Sequence, residues 1–456
     1  MINYSRFSLD NGLRVIHNYD PSTAMVAVNL LYNVGSRDED PSMTGIAHLF
    51  EHLMFAGSAN IPDFDAEMER AGGVNNAWTS NDFTNFYDVA PMQNLETLLW
   101  LESDRMLALS FSDKALEIQR NVVIEEFKQT HLNRPYGDMS HYLRALIYKS
   151  HPYRYPAIGK EISHIERITE QDIRDFFYSH YAPNNAVLSI CGNVTLDDAR
   201  RLVDKWFGDI PSREIAARRY KPEPPITASR RLEVRGKVPY PVIVIAFPMP
   251  GYGEKGYIEC DLLTDILASG HSSRLYRRLV MDSELFSAAD SSIIGSEEPG
   301  FLMLKGTLND NSDDTIRKAE EMLLAQALEL TTHHPTSTDI PKVQSQYEAE
   351  SQCDVQPEGN VQLECNVQSQ GAQYITSSPI SLYETQRAIN RFTSDFTFSN
   401  VNYLSRAQSL ALAEMHGEDI NSIVPAYAAM TPERLTATAT RIINPSRSCT
   451  LIYRPE

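Results

Sequence analysis

The run Gly45-Ile-Ala-His-Leu-Phe-Glu-His-Leu-Met-Phe-Ala-Gly57 constrains this chain more than any other stretch. Ile46, Leu49, Phe50, Leu53, Met54 and Phe55 make it apolar nearly all round, which predicts a buried helix. The same helix carries His48, Glu51 and His52, and polar groups in a buried helix need a partner. His48 and His52 stand four residues apart, so both imidazoles project from one face, as two ligands of a single metal ion must. Glu51 points at the same pocket, displaced sideways, where it holds the metal's water instead of the metal. This H-x-x-E-H order is the inverse of H-E-x-x-H, and its chemistry is metal-assisted hydrolysis. A solvated helix face carrying a local hydrogen-bond set is the bland alternative, and the apolar flanks argue against it.

A third ligand is sought on the next long elements, since residues 92–108 and 112–131 read as two helices. Stepping about 100° per residue from Val122, residues Ile118, Val122, Ala115, Val123 and Leu116 form an apolar arc centred near ~40°. Glu126 falls at that centre and Glu125 outside it. A carboxylate in a buried stripe needs a cation, so Glu126 is the expected third ligand. Gln119 shares its face and is placed to hydrogen-bond within the site.

Elsewhere, residues 5–9 and 13–18 read as strands turned by Asp10-Asn11-Gly12, and Met25 to Tyr32 as a third. After a break over Ala71 to Asn76, residues 77–89 return as β-structure whose polar alternates suit a sheet margin. Such an edge suits either an added peptide strand or a plain structural hairpin. Helices at 170–180 and 195–207 flank a strand from Ala186 to Cys191. His141, His164 and His180 are read as surface or capping residues. The Pro- and Arg-rich stretch from Pro211 to Arg231 reads as a linker. Beyond it, a strand at Val242 to Phe247, a Gly/Pro turn, a helical run from Gly256 to Leu267 and a helix from Ser272 repeat the earlier order without H-x-x-E-H. The expectation is an α+β protein of two related domains, 1–215 with the metal motif and 232–456 without it, joined by 216–231. Residues 335–400 are rich in Gln, Ser and Asn, with Val-Gln-Ser-Gln at 343–346 and 367–370, and read in part as an insertion. Helical patterning resumes from Tyr403 to His416, and Ser448 to Tyr453 reads as a closing strand.

Composition narrows the function. At 456 residues the chain is too long for one ordinary core, and its net charge of −19 argues against nucleic acid as a partner. Five scattered cysteines, without a C-x-x-C pair, indicate neither a disulfide framework nor a thiolate zinc site. No run of eighteen apolar residues is present, so no membrane span is expected. Met1 opens directly into strand-like sequence, which makes the chain as given cytoplasmic, or periplasmic had a leader been removed.

Several ordered motifs together resemble the M16 zinc peptidases, which include pitrilysin, insulysin and the mitochondrial processing peptidases. They are Gly45 to Gly57, Gly72-Gly73 with Asn76-Ala77-Trp78-Thr79, Glu102-Ser-Asp-Arg-Met106, Arg120-Asn-Val-Val-Ile-Glu-Glu126, and Gly270-His-Ser-Ser-Arg274-Leu275. The resemblance covers most of 5–330 and the final stretch, and is poor across 335–400. It implies two related domains, each an antiparallel-rich sheet packed against helices, and one Zn2+ per chain held by His48, His52 and Glu126. It further implies Glu51 as general base and Asn76, Ala77, Trp78 and Thr79 as the edge strand receiving substrate backbone. Gln119 stands where the family commonly has glutamate. The family's Arg and, seven residues on, Tyr that clamp substrate would fall on Val280 and Ser287, and no Arg in 230–456 has a Tyr seven places later. The chain therefore resembles the zinc-bearing partner of short members that divide labour with a sister chain.

The expected function is a zinc endopeptidase acting on peptides or unfolded segments inside a two-chain chamber, as a dimer or as a heterodimer whose sister supplies the Arg/Tyr pair. The alternative is a binding or scaffold subunit of a peptidase-like complex that keeps the fold while activity lies elsewhere.

Overall fold

The structure is a computed structural model describing residues 1–110, 113–218, 220–295, 297–332 and 379–456. The first half contains β1 (Ser5–Ser8), β2 (Arg14–Tyr19), β3 (Met25–Tyr32), α1 (Ile46–Leu53), α2 (Phe64–Arg70), β4 (Val74–Thr79) and β5 (Thr84–Pro91). It continues through α3 (Leu95–Leu107), α4 (Asp113–Phe127), α5 (Met139–Ile147), α6 (Ile162–Arg167), α7 (Glu170–His180), β6 (Ala186–Gly192) and α8 (Leu196–Phe207). The second half contains β7 (Arg230–Gly236), β8 (Val242–Met249), α9 (Tyr257–Ala268), β9 (Phe286–Ile294), β10 (Gly300–Leu308) and α10 (Asp313–Leu328). Then follow α11 (Leu382–Ser399), α12 (Tyr403–His416), α13 (Ile420–Ala428), α14 (Pro432–Ile442) and β11 (Cys449–Pro455). Among the described residues no helix is long and apolar enough to cross a membrane.

Duplication is explicit in the strand order. The first sheet runs β1-β2-β6-β3-β5-β4 and the second β7-β11-β8-β10-β9. Leaving out β1, the two match strand for strand: one parallel pair, β2 with β6 or β7 with β11, followed by three antiparallel pairs. In both halves the strand after the parallel pair, β3 or β8, leads into a helix entered through a left-handed glycine, Gly45 at φ 96° or Gly256 at φ 108°. A side chain would be strained at either position, and a Cβ on Gly45 would come within 2.9 Å of the Ile158 carbonyl oxygen.

Each sheet buries one face under its own helices and the other under a helix from the opposite half. Helix α12 lies on β6, β3 and β2, where Ala407, Leu410 and Ala411 close a core with Ile16, Leu31 and Val187. Helix α5 lies on β11 and β7, where Leu143 and Ile147 close a core with Val244, Leu451 and Tyr453. The connector is pinned rather than loose, since the Glu223 carboxylate accepts from the backbone N–H groups of Lys149, Ser150 and His151 at 2.7, 2.9 and 3.0 Å.

Several expectations need correction. Arg230 and Arg231 belong to β7, paired with Cys449 and Thr450, so the connector ends before the expected boundary at 231. Strand β4 begins at Val74, three residues before the expected start at Ala77. Within 335–400, residues 382–399 form a regular helix, entered through a Ser381–Glu384 capping box. The two Val-Gln-Ser-Gln repeats lie outside the described residues. His164 and His180 are buried. Their rings are hydrogen-bonded, His164 Nδ1 accepting from Thr44 N and His180 Nδ1 lying 3.1 Å from the Phe176 carbonyl. His141 is half-buried beside the Gly159 carbonyl.

Arg274, in the Gly270–Leu275 motif, grips Glu384 with both ends of its guanidinium at 2.7 and 3.0 Å, tying the end of that motif to α11. Burial alone would raise the Glu384 carboxyl, but Arg274 and the Ser381 donors outweigh it and hold the group down at about 2. A carboxyl depressed in the folded state stabilises fully above its unfolded value of about 4.5 and loses that contribution as pH falls toward about 2. Glu384→Gln is therefore expected to cost about 2–3 kcal/mol near neutral pH. In urea titrations the gap from the parent should narrow between about pH 4.5 and 2. Leu410→Ala, in α12, is expected to cost about 2–4 kcal/mol and to speed amide exchange in β3 and β6 of the other half. Faster exchange confined to the second half would contradict the exchanged packing.

Candidate metal centre and its pocket

Helix α1 is fixed on its apolar sides before any metal is considered. Ile46, Leu49, Phe50 and Leu53 are fully buried or nearly so, and Phe50 stacks on Tyr181 at 4.0 Å between ring centroids. Its N-terminus is held by the buried Glu39 carboxylate, which accepts from Gly45 N and Ala47 N at 2.9 Å each. Burial pushes the Glu39 carboxyl up to about 8, against the pull of those two donors. The loop after the helix is held by Asp104, which accepts from Ser58 Oγ at 2.5 Å and from Asn60 N at 2.9 Å. Beside it the fully buried Arg105 pairs with Glu102 and lies over Phe86 at 4.2 Å.

With α1 held at both ends, the two imidazoles reach α4. His48 Nε2 and His52 Nε2 lie 3.7 and 3.5 Å from Glu126 Oε2, and one donor atom from each of the three residues falls within 4.8 Å of the others. Those separations are long for hydrogen bonds. They approach the roughly 3.4 Å edge of a tetrahedron whose centre-to-ligand bonds are about 2.0–2.1 Å. Two imidazoles and a carboxylate are also the right donor chemistry for zinc, so the residues fit the ion. Burial pushes the His48 imidazole down to about 4 despite Glu126, which leaves its ring nitrogen unprotonated and able to ligate at neutral pH. Glu126, facing His52 and then His48, is held below the ordinary carboxylate value.

Glu51, on the same face of α1, is almost fully buried, and burial raises its carboxyl. Thr79, the last residue of β4, donates its hydroxyl to Glu51 Oε2 at 2.5 Å and opposes that rise. These groups open onto a cavity of about 800 Å³ whose walls include Phe55, Met68, Val74, Asn75, Asn76 and Gln119. Strand β4 is the edge of its sheet, paired only with β5. Val74, Asn76 and Trp78 face outward and are exposed, whereas Asn75, Ala77 and Thr79 alternate toward α1 and α2. Gln119 lines the cavity two turns before Glu126 but forms no hydrogen bond with the three clustered residues.

Glu126 arrives in the cluster for a different reason than its sequence pattern indicates. Ile118 and Val122 are 49% and 44% exposed, and the buried face of α4 is Leu116, Val123, Ile124 and Phe127. Glu126 sits at the margin of that face, its side chain 40% exposed, where it reaches both the histidines and the open cavity. Glu125 points away and pairs with Lys128 at 2.6 Å. The sequence reading missed Glu39 and Asp104, the groups that anchor α1 at its two ends. Asp104 was visible within the Glu102–Met106 motif, while Glu39 lay in a polar loop with no periodic signal.

The chain matches the model of the insulinase family, peptidase family M16, over residues 14–160, and that of the M16 inactive domain over 167–347. It is 31% identical over 306 residues to the zinc protease PqqE of Helicobacter pylori, covering 66% of this chain and 69% of that protein. Against the zinc protease YmxG of Bacillus subtilis the identity is 26%, over 70% of this chain and 77% of that protein. Against the mitochondrial-processing peptidase subunit beta of Saccharomyces cerevisiae it is 29%, over 45% of each. A crystal structure of a protease from Helicobacter pylori superimposes with a TM-score of 0.83 at 23% identity, covering 100% of both chains, a likeness of fold. The periplasmic protease PqqL of Escherichia coli superimposes with a TM-score of 0.74 at 16% identity, this chain spanning 48% of that one. The chain belongs to the M16 peptidase family, and two of its relatives named here, PqqE and YmxG, are zinc proteases. Its fold is the two-sheet α+β architecture of that family.

Glu126→Ala is expected to abolish stoichiometric zinc binding, measured by metal analysis after dialysis, whereas Glu125→Ala should retain it. Full zinc loading of the Glu126→Ala protein would remove Glu126 from the ligand set.

Proposed function

We propose that this protein is a zinc-dependent endopeptidase acting on peptides or unfolded polypeptide segments, with one zinc per chain held by His48, His52 and Glu126. The observation that carries the reading is the convergence of these three donors, with Glu51 beside them, in one open cavity at the edge of a sheet. Bound there, zinc would supply a Lewis acid for the scissile carbonyl and would acidify a water. Glu51, raised by burial, is the group beside the three donors that would accept a proton from water and return it to the leaving amine. Substrate lies extended along the free edge of β4, where Asn76, Ala77 and Trp78 offer backbone groups and alternate side chains. Gln119, on the cavity wall, is placed to hydrogen-bond with substrate.

Residues 1–215 carry the chemistry in this reading, and 232–456 shape the cleft. In the second half the position of His48 is taken by Glu259, paired with Arg434 at 3.0 Å, and those of Glu51 and His52 by the buried Leu262 and Leu263. A two-chain assembly with a sister supplying an Arg/Tyr pair is supported by the lack of such a pair in 230–456. A relative named as a subunit, and a protease of about twice this length with the same fold, point the same way.

Glu51→Gln should keep zinc at the parental level and lower hydrolysis of internally quenched, unfolded casein by at least about 100-fold. Parental turnover by that variant would sink the assignment.

A further inference from the structure

We infer that Thr79 is a positioning residue for Glu51, setting which oxygen of the carboxylate meets the water, rather than one more backbone contact for substrate. The inference rests on the proposed role of Glu51 as general base. The bond runs from Thr79 Oγ1 to Glu51 Oε2 at 2.5 Å, between the last residue of an edge strand and a carboxylate on a buried helix. Among the described residues no other side chain donates to Glu51, and its Oε1 accepts no hydrogen bond. Oε2 is committed to Thr79, which leaves Oε1 as the oxygen without a donor on a residue that lines the cavity.

Geometry explains why the residue type matters. A glutamate has three rotatable side-chain bonds, and burial of its stem fixes the first two better than the terminal carboxylate torsion, which is broad and roughly two-fold. One donor of fixed direction removes that freedom. Thr79 supplies it because threonine in a strand has a restricted χ1, and because the strand alternation that exposes Trp78 turns Thr79 toward α1. The backbone of Thr79 is engaged as well, in register with Thr84 of β5, so the hydroxyl hangs from a paired strand rather than a loose tip. A purely structural tether is the competing role, and it differs in what its loss would move: a tether supports β4 and α1, whereas a positioning residue supports only the orientation of one carboxylate.

The test compares Thr79→Val, which keeps the β-branched shape without the hydroxyl, with Thr79→Ser, which restores the hydroxyl on a smaller side chain. Each zinc-loaded full chain is assayed on internally quenched casein. For Thr79→Val the expected result is unchanged zinc content, melting temperature and KM with kcat lowered roughly 100-fold, the scale set by misplacing a reacting group by about 1 Å. Thr79→Ser should recover most of that loss. Parental kcat in Thr79→Val, or a loss carried by KM, zinc or melting temperature, would overturn the inference. Crystal structures of the parent and Thr79→Val decide the same point without turnover. The Glu51 carboxylate should leave its parental position by more than about 0.5 Å, the tolerance of a productive site, and an unmoved carboxylate counts against Thr79. A parent that hydrolyses nothing would instead strike at the endopeptidase assignment, and the crystallographic comparison would still settle Thr79.

Discussion

The burial of α1 is the constraint on which the rest of the structure depends. The direction of His48 and His52 is set by apolar packing: Phe50 against Tyr181 and Phe177, with Leu49 and Leu53 sealed in the same core. The backbone groups freed at the helix start are met by Glu39, and the chain leaving it is caught by Asp104. His48 and His52 are therefore held by a scaffold that makes no use of their own chemistry. Fixing the helix by hydrophobic contact leaves the imidazole and carboxylate groups free to serve the pocket, which is how one short segment can be both core and site.

Much of the fold was legible because its signals are periodic. The apolar circumference of Gly45 to Gly57, the alternation of the early strands and the repeat of strand, glycine and helix in the second half all describe burial, and burial leaves a period in sequence. Glu126 shows where that logic fails. Its arc of apolar neighbours looked like a buried stripe, yet Ile118 and Val122 face solvent and the true core face lies on Leu116, Val123, Ile124 and Phe127. A helix whose apolar residues spread over most of its circumference does not declare which part meets the core. Glu126 joins the histidines from the border between core and water. His164 and His180 are buried for a related reason: His164 is met by Thr44, 120 positions away, and His180 turns back onto the Phe176 carbonyl of its own helix, so neither burial leaves a period in sequence.

The two halves share a strand order and differ in what their matching helices carry. Where α1 presents histidines to a cavity, α9 presents Glu259 to Arg434 and packs leucines into the core. Both copies of the duplicated frame are needed to bury each other, whereas the histidine pair stands on the helix of only one. Retention of the fold and loss of the motif in the second half are thus compatible outcomes of separate pressures, packing in one case and chemistry in the other.

The exchange of α12 and α5 between the halves also dictates an order of events as the chain is made. Arg14 donates to the Glu414 carbonyl across 400 positions, and the helix that covers the back of the first sheet follows nearly everything else. A growing chain must carry that sheet with one apolar face open to water until α12 emerges. Contacts of such long range are slow to form, and an open sheet face is a surface on which other chains can settle. The half that carries His48, His52 and Glu126 can thus be fully synthesised long before its sheet is closed from behind.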